Sequence, residues 1–296
     1  MKRSFLLSCI GIYTMLVGCQ QHNNADCIAL CGDDRVMIVD MAKSNDTVVN
    51  VVWDWKTAEL VGQLSNAQVK ALYPTDECKI VDKGRKLLIT SSRNAVLLLD
   101  IATKHADFFA SAPMAHSAEI LPNNRIAVAL STNVNGNALE IFDIDHPEEP
   151  IFRDSLFSGH GVVWNRWHKS LYTLNWDELR EYKLRDWNSE NAWLERVNTW
   201  KTPAKSGHDL SMADEDRLLL TGHNGVFCFD IRKETFEPFA PLEKVKNVKS
   251  VNYNPKNGRL VYTVAEESWW THHVYEKNPD RYITIADLNI YKARFH

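Results

Sequence analysis

The chain has no large charge of either sign. Its 34 Lys and Arg stand against 38 Asp and Glu, a net −4. Nucleic-acid binding needs a basic face to neutralise phosphates, so nucleic acid is set aside as a partner. The short signatures of common chemistries are missing as well. There is no G-x-S-x-G elbow, no H-E-x-x-H zinc helix, no glycine-rich phosphate cradle and no dinucleotide fingerprint. No C-x-x-C pair occurs, which removes the usual cysteine site for zinc. No segment sustains a 3.6-residue apolar period, which argues against a helical domain. Only Asn188 to Trp200 could form a short helical turn.

The N-terminus reads Met1-Lys2-Arg3, then an apolar stretch from Phe5 to Val17. That is a basic region followed by a short apolar one, the pattern of a secretory signal. It is too short for a comfortable bilayer span, which takes about 20 apolar residues. It ends in Leu16-Val17-Gly18-Cys19, which resembles the lipobox of bacterial lipoproteins. The resemblance implies a signal over residues 1–18, diacylglycerol on Cys19, and a lipidated tether over 19–25 ahead of a domain at 26–296. Several acyl chains make such an anchor effectively permanent, so the expected partner is a membrane and the expected location the cell envelope. The tether carries no acidic run, so the periplasmic and surface faces both stay open.

The mature part has room for one large all-β unit. One phrase recurs in it: a short apolar segment, a turn, a strand opening at Arg or Lys, a second turn, and an apolar strand closing in Asp. It starts at Cys78, Ala115, Gly159, Gly207 and Val248, 37 to 48 residues apart. CIALCGDDRVMIVDM supplies part of a sixth copy near the N-terminus, with VVNVVWDW after it. This period is that of a four-stranded propeller blade, and it predicts an all-β, six-bladed β-propeller. The first copy lacks an innermost strand and the last an outermost one, so the two ends of the chain should close the ring together. A seventh blade would require a degenerate copy between Thr57 and Pro74. A two-sheet sandwich does not account for the repeat.

The phrases VVWDW (51–55), AHSAEILPNNRIAVALS (115–131), GHGVVW (159–164), GHDL (207–210), VKSVNYNPKNGRLVY (248–262), Trp269-Trp270 and IYKARF (290–295) resemble a bacterial lipoprotein family of unknown function with a propeller fold. The resemblance implies the fold and the lipid anchor and supplies no reaction. A looser similarity, His116 with Leu121-Pro122-Asn123, is to the arylsulfate sulfotransferase propellers, and no residue role is carried over from it.

His116, His160 and His208 hold the same place in three consecutive copies, just before the innermost strand. Matching positions in a propeller point at one axial volume, where imidazoles could shuttle protons or hold a divalent metal. Each could equally bond a neighbouring backbone and be purely structural. No cofactor is required by the pattern. Glu119 and Asp209 are placed to orient a ring or share a ligand site, and Lys249 takes the position that histidine holds elsewhere.

Trp53 and Trp55 share one strand face, where core packing competes with sugar stacking. Trp164, Trp176, Trp270 and His272 look more loop-like, and adjacent Trp269 and Trp270 cannot both face a core from one strand. Arg93 sits in a turn where it could meet an anion. Cys27, Cys31, Cys78 and Cys228 remain for bridges or free thiols, and the pairing is not set by spacing.

Two functions follow. One is a module recognising a glycan or an envelope protein, the reading the sequence favours slightly. The other is a lyase or transferase on an anionic saccharide. Histidines converging within a few ångström in an open channel would favour the enzyme, and histidines facing backbone carbonyls in a closed ring would favour binding or scaffolding.

Overall fold

The computed structural model describes residues 26–296. The secretory signal, Cys19 and the tether lie outside the described residues. No helix among the described residues is long and apolar enough to cross a membrane.

Twenty-four strands form six four-stranded antiparallel sheets. The innermost strands are β4 (Thr75–Val81), β8 (Ala115–Leu121), β12 (Gly161–Asn165), β16 (Asp209–Met212), β20 (Val248–Asn254) and β24 (Ile290–Phe295). Each touches the next around the axis, β24 meeting both β20 and β4, so the ring is closed. The six-bladed propeller is thus what the repeat predicted.

Closure differs in one detail from expectation. The first blade, β1 (Cys27–Gly32), β2 (Arg35–Asp40) and β3 (Val51–Lys56), does take its innermost strand, β24, from the far end of the chain. The last blade is complete in itself, because β23 (Arg281–Thr284) pairs with β22 (His273–Lys277) as its outermost strand. No seventh blade occurs among the described residues. Residues 57–74 hold a 3₁₀ turn (Thr57–Leu60) and a short helix, α1 (Asn66–Ala71), capped reciprocally by Ser65 and Gln68. The helical turn expected within Asn188–Trp200 is instead mostly the strand β15 (Trp193–Lys201), paired along β14 (Glu178–Arg185) through a bulge. Its helix-like spacing of Trp193 and Trp200 yields to edge pairing that satisfies the backbone.

The two middle strands of each blade are buried on both faces and read as nearly continuous apolar runs, as in RIAVAL of β9 (Arg125–Leu130). Outermost strands alternate half-buried and exposed, as in FRDS of β11 (Phe152–Ser155). Apolar clusters fill the wedges between blades. Trp55, Leu60, Cys31 and Cys78 share one wedge between the first two blades, all fully buried. The four described cysteines are free thiols.

Candidate functional site

Four of the six innermost strands begin with a β-bulge. In four blades the pairing slips by one residue, leaving Asp76, His116, Lys249 and Tyr291 as the extra residue. In the other two, the N–H groups of His160 and His208 donate to the carbonyls of Leu174 and Thr221, the residues already paired with Gly161 and Asp209. Bulges re-aim side chains, and here they do so in four blades around one axis. Two residues ahead of each ring member in four blades the backbone is left-handed: Met114 (φ 57°), Ser158 (φ 51°), Ser206 (φ 54°) and Asn247 (φ 57°). Glycine before two of the histidines is a matter of space. A methyl on Gly207 would sit 2.5 Å from the Asn175 carbonyl oxygen, and one on Gly159 3.0 Å from that of Leu130.

The result is one chemically active side chain per blade. Asp76, His116, His160, His208, Lys249 and Tyr291 line a cavity of about 260 Å³, with Trp269 at its mouth. Ring centroids lie 4.5 Å apart for His116 and His160 and 5.7 Å apart for His160 and His208. His223 extends the series, 4.6 Å from His208. Nδ1 of His116 donates to the Met114 carbonyl at 2.9 Å, and Nδ1 of His160 to the Ser158 carbonyl at 2.9 Å. A carbonyl only accepts, so the proton sits on Nδ1 and the neutral rings keep Nε2 bare.

Burial sets the protonation states. It lowers His116 and, with its histidine neighbours, takes His160 well below the usual imidazole range. Burial and then the Lys249 charge push His208 down to about 2. Lys249 is lowered to about 8 by burial and by Lys292. Burial also raises the Asp76 carboxyl, which accepts from the Ser92 N–H, and raises the Tyr291 phenol. The cavity therefore holds neutral bases, an ammonium within reach of neutral pH, and a carboxyl biased toward its acid form.

The floor is a buried ion group. Arg294 forks onto Glu77 (2.9 Å) and Asp209 (2.6 Å), and Lys292 reaches the same two carboxylates at 3.3 and 3.2 Å. Burial opposes the Glu77 charge, yet Arg294 and Lys292 bring it down to about 2, and they lower Asp209 as well. Lys292 also donates to the His116 carbonyl at 3.0 Å. Two cations balance two anions, which closes the axial channel midway. Below lies a smaller cavity of about 200 Å³ with Lys79, Glu119 and Arg294 in its wall.

Four of the sequence-selected residues thus meet: His116, His160, His208 and Lys249. Asp209 lies directly beneath them but serves Arg294 and Lys292 rather than an imidazole. Glu119 does not join them. Three residues along β8 is roughly 10 Å, which carries it past the ion group to pair with Lys79 at 3.2 Å. Trp53 lies on an outermost strand, its indole N–H donating to the Ile101 carbonyl at 2.9 Å. Trp164 borders a separate cavity with Pro122 and Lys183. Trp176 is exposed beside Phe157, 6.2 Å away. Trp270 and His272 pack on each other at 5.1 Å next to the histidine cavity, which Trp269, 56 % exposed, borders instead. Arg93 is exposed, with Nε bonded to the Tyr73 carbonyl at 2.9 Å. Asp76 and Tyr291 were missed. Their positions, one blade period before His116 and after Lys249, were the available signal. Among the described residues no three His, Cys, Asp or Glu side chains gather as metal ligands.

A family model described as "Family of unknown function (DUF6528)" matches residues 19–296. No curated protein matches the chain. Among solved structures, a chain from the crystal structure of a mitotic checkpoint complex is similar at a TM-score of 0.56 and 10 % identity, covering 86 % of this chain and 73 % of that one. At that identity the likeness is one of fold alone.

Proposed function

This chain belongs to the DUF6528 family of unknown function, and from its own site we propose an envelope-anchored enzyme that works by acid–base catalysis on the end of an anionic saccharide. The observation that carries the reading is the ring itself: six blades each aim one polar or titratable side chain into one blind cavity. A closed floor admits the end of a chain, not a threaded polymer. The N-terminal lipobox pattern supports export and anchoring through Cys19.

β-Elimination from a uronide fits the groups present. The Lys249 ammonium holds the sugar carboxylate. The bare Nε2 of His160 takes the proton from the carbon next to that carboxylate, the new C=C bond forms, and the bond to the leaving oxygen breaks. Asp76, biased toward its acid form, returns a proton to that oxygen. One C–H and one C–O bond are exchanged for a C=C and an O–H, with no redox change. Nothing in these steps calls for a metal.

The test is to incubate the purified propeller with acidic oligosaccharides and follow the ultraviolet absorbance of the unsaturated product. Turnover by the wild type and its loss in His160→Ala supports the proposal. Neither binding nor turnover with any uronide overturns it. Binding without turnover would favour the recognition module, a reading supported by Trp269 standing exposed at the cavity mouth and by the bonds of His116 and His160 to backbone carbonyls above a closed floor.

A further inference from the structure

A second cavity, of about 320 Å³, adjoins the histidine cavity. The two share Asp76, Trp269 and Tyr291 as a common wall. Beyond that wall the chemistry changes. The second cavity has Tyr73, Pro74 and Trp270 as further aromatic or apolar surface, with Tyr73 46 % exposed. Asp33, Thr75 and Asn289 supply its polar lining, and Asp33 fixes Asn289 by accepting from its N–H at 2.9 Å and its Nδ2 at 3.1 Å. Arg93, outside the lining itself, donates from Nε to the carbonyl of Tyr73 at 2.9 Å, which ties a guanidinium to one residue of the wall.

Flat aromatic faces together with fixed hydrogen-bonding groups suit a pyranose ring: its apolar C–H face stacks while its hydroxyls are bonded. A cation at the rim suits an acid group on that ring. Together the two compartments fall within the roughly 300–1,000 Å³ typical of small-molecule sites.

We propose that the second cavity is the subsite for the penultimate sugar of an acidic saccharide whose terminal ring occupies the histidine cavity. The inference rests on the saccharide reading of the histidine site and adds chain length and charge to it. The shared wall positions the bond between the two rings beside Asp76. Trp270 and Tyr73 hold the inner ring, and Arg93 pairs with its carboxylate.

Calorimetric titration with galacturonate and digalacturonate tests this. The dimer should bind at least about tenfold more tightly than the monomer. Trp270→Ala should remove that advantage and leave monomer affinity unchanged. Arg93→Gln, at an exposed position that does not endanger folding, should weaken the dimer alone. Equal affinity for monomer and dimer in the wild type overturns the subsite while leaving the terminal site intact. So does an equal loss for both ligands in Arg93→Gln. If neither uronide binds the wild type, the saccharide reading fails and the subsite falls with it.

Discussion

The ammonium of Lys249 lies 3.0 Å from Nε2 of His208, and it can donate there only while that ring is unprotonated. His208 titrates near 2 in the fold, against 6.5 for the ordinary side chain. Below pH 6.5 the unfolded chain binds a proton that the fold refuses, so stability falls as the pH drops. The slope is about 1.4 kcal/mol per pH unit, or about 2 kcal/mol for this residue by pH 5. His116 and His160 shift the same way and add to it. Urea unfolding at pH 7 and pH 5 measures the loss. His208→Gln should show a smaller one, and an unchanged loss would contradict the assignment.

Lys249 has the complementary behaviour. With its pKa lowered to about 8, its positive charge disappears as the pH rises through that value. Binding of an anionic ligand should therefore weaken above about pH 8. Lys249→Met should bind weakly at every pH, and Lys249→Arg, which stays charged, should hold its affinity to higher pH. Titrating galacturonate across that range reads the difference. Stability itself should rise between about 8 and the ordinary 10.5, since only the unfolded lysine is then still protonated.

The floor of the cavity makes a sharper demand. Arg294 is the only residue bonded by its guanidinium to both Glu77 and Asp209 among the described residues. Arg294→Met leaves two buried carboxylates with Lys292 as their one shared salt-bridge partner among the described residues. Removing one partner from a buried ion group typically costs about 3–5 kcal/mol. Denaturant midpoints should fall accordingly, and a change under about 1 kcal/mol would show that water reaches the group.

Much of this was legible in the sequence because a propeller repeats its chemistry. A unit of fixed period placed His116, His160 and His208 at equivalent positions, and equivalent positions converge on the axis. Asp76 and Tyr291 were hidden for two reasons. The recurring phrase of the second blade is recognisable only from Cys78, two residues after Asp76, and Tyr291 belongs to a strand that completes the first blade from the other end of the chain. The ion group was invisible because it joins Lys292 to Glu77 across 215 positions. On their own strands these are single charges that look like solvated ones. Glu119 failed for a related reason: nearness to His116 in sequence says nothing about the charged layer that separates them.

The glycines that precede His160 and His208 offer the most direct check that backbone geometry, rather than side-chain chemistry alone, aims the ring. Gly207 has ordinary negative φ, so alanine is not refused by the dihedral angle. It is refused by space, since the added methyl would lie 2.5 Å from the Asn175 carbonyl oxygen and 2.8 Å from Cγ of Leu174, both in the neighbouring blade's wall. The strand must shift by a few tenths of an ångström or more, and overpacking of this kind costs about 1–3 kcal/mol. His208 is the next residue and shifts with it, moving its Nε2 from the Lys249 ammonium. Gly207→Ala should therefore lower the denaturant midpoint and also weaken galacturonate binding. Gly62→Ala, at a position where a methyl meets nothing within 4 Å but φ is +96°, should lower stability without touching affinity. If both variants lose stability and neither loses affinity, the approach of the backbone at Gly207 does not position His208.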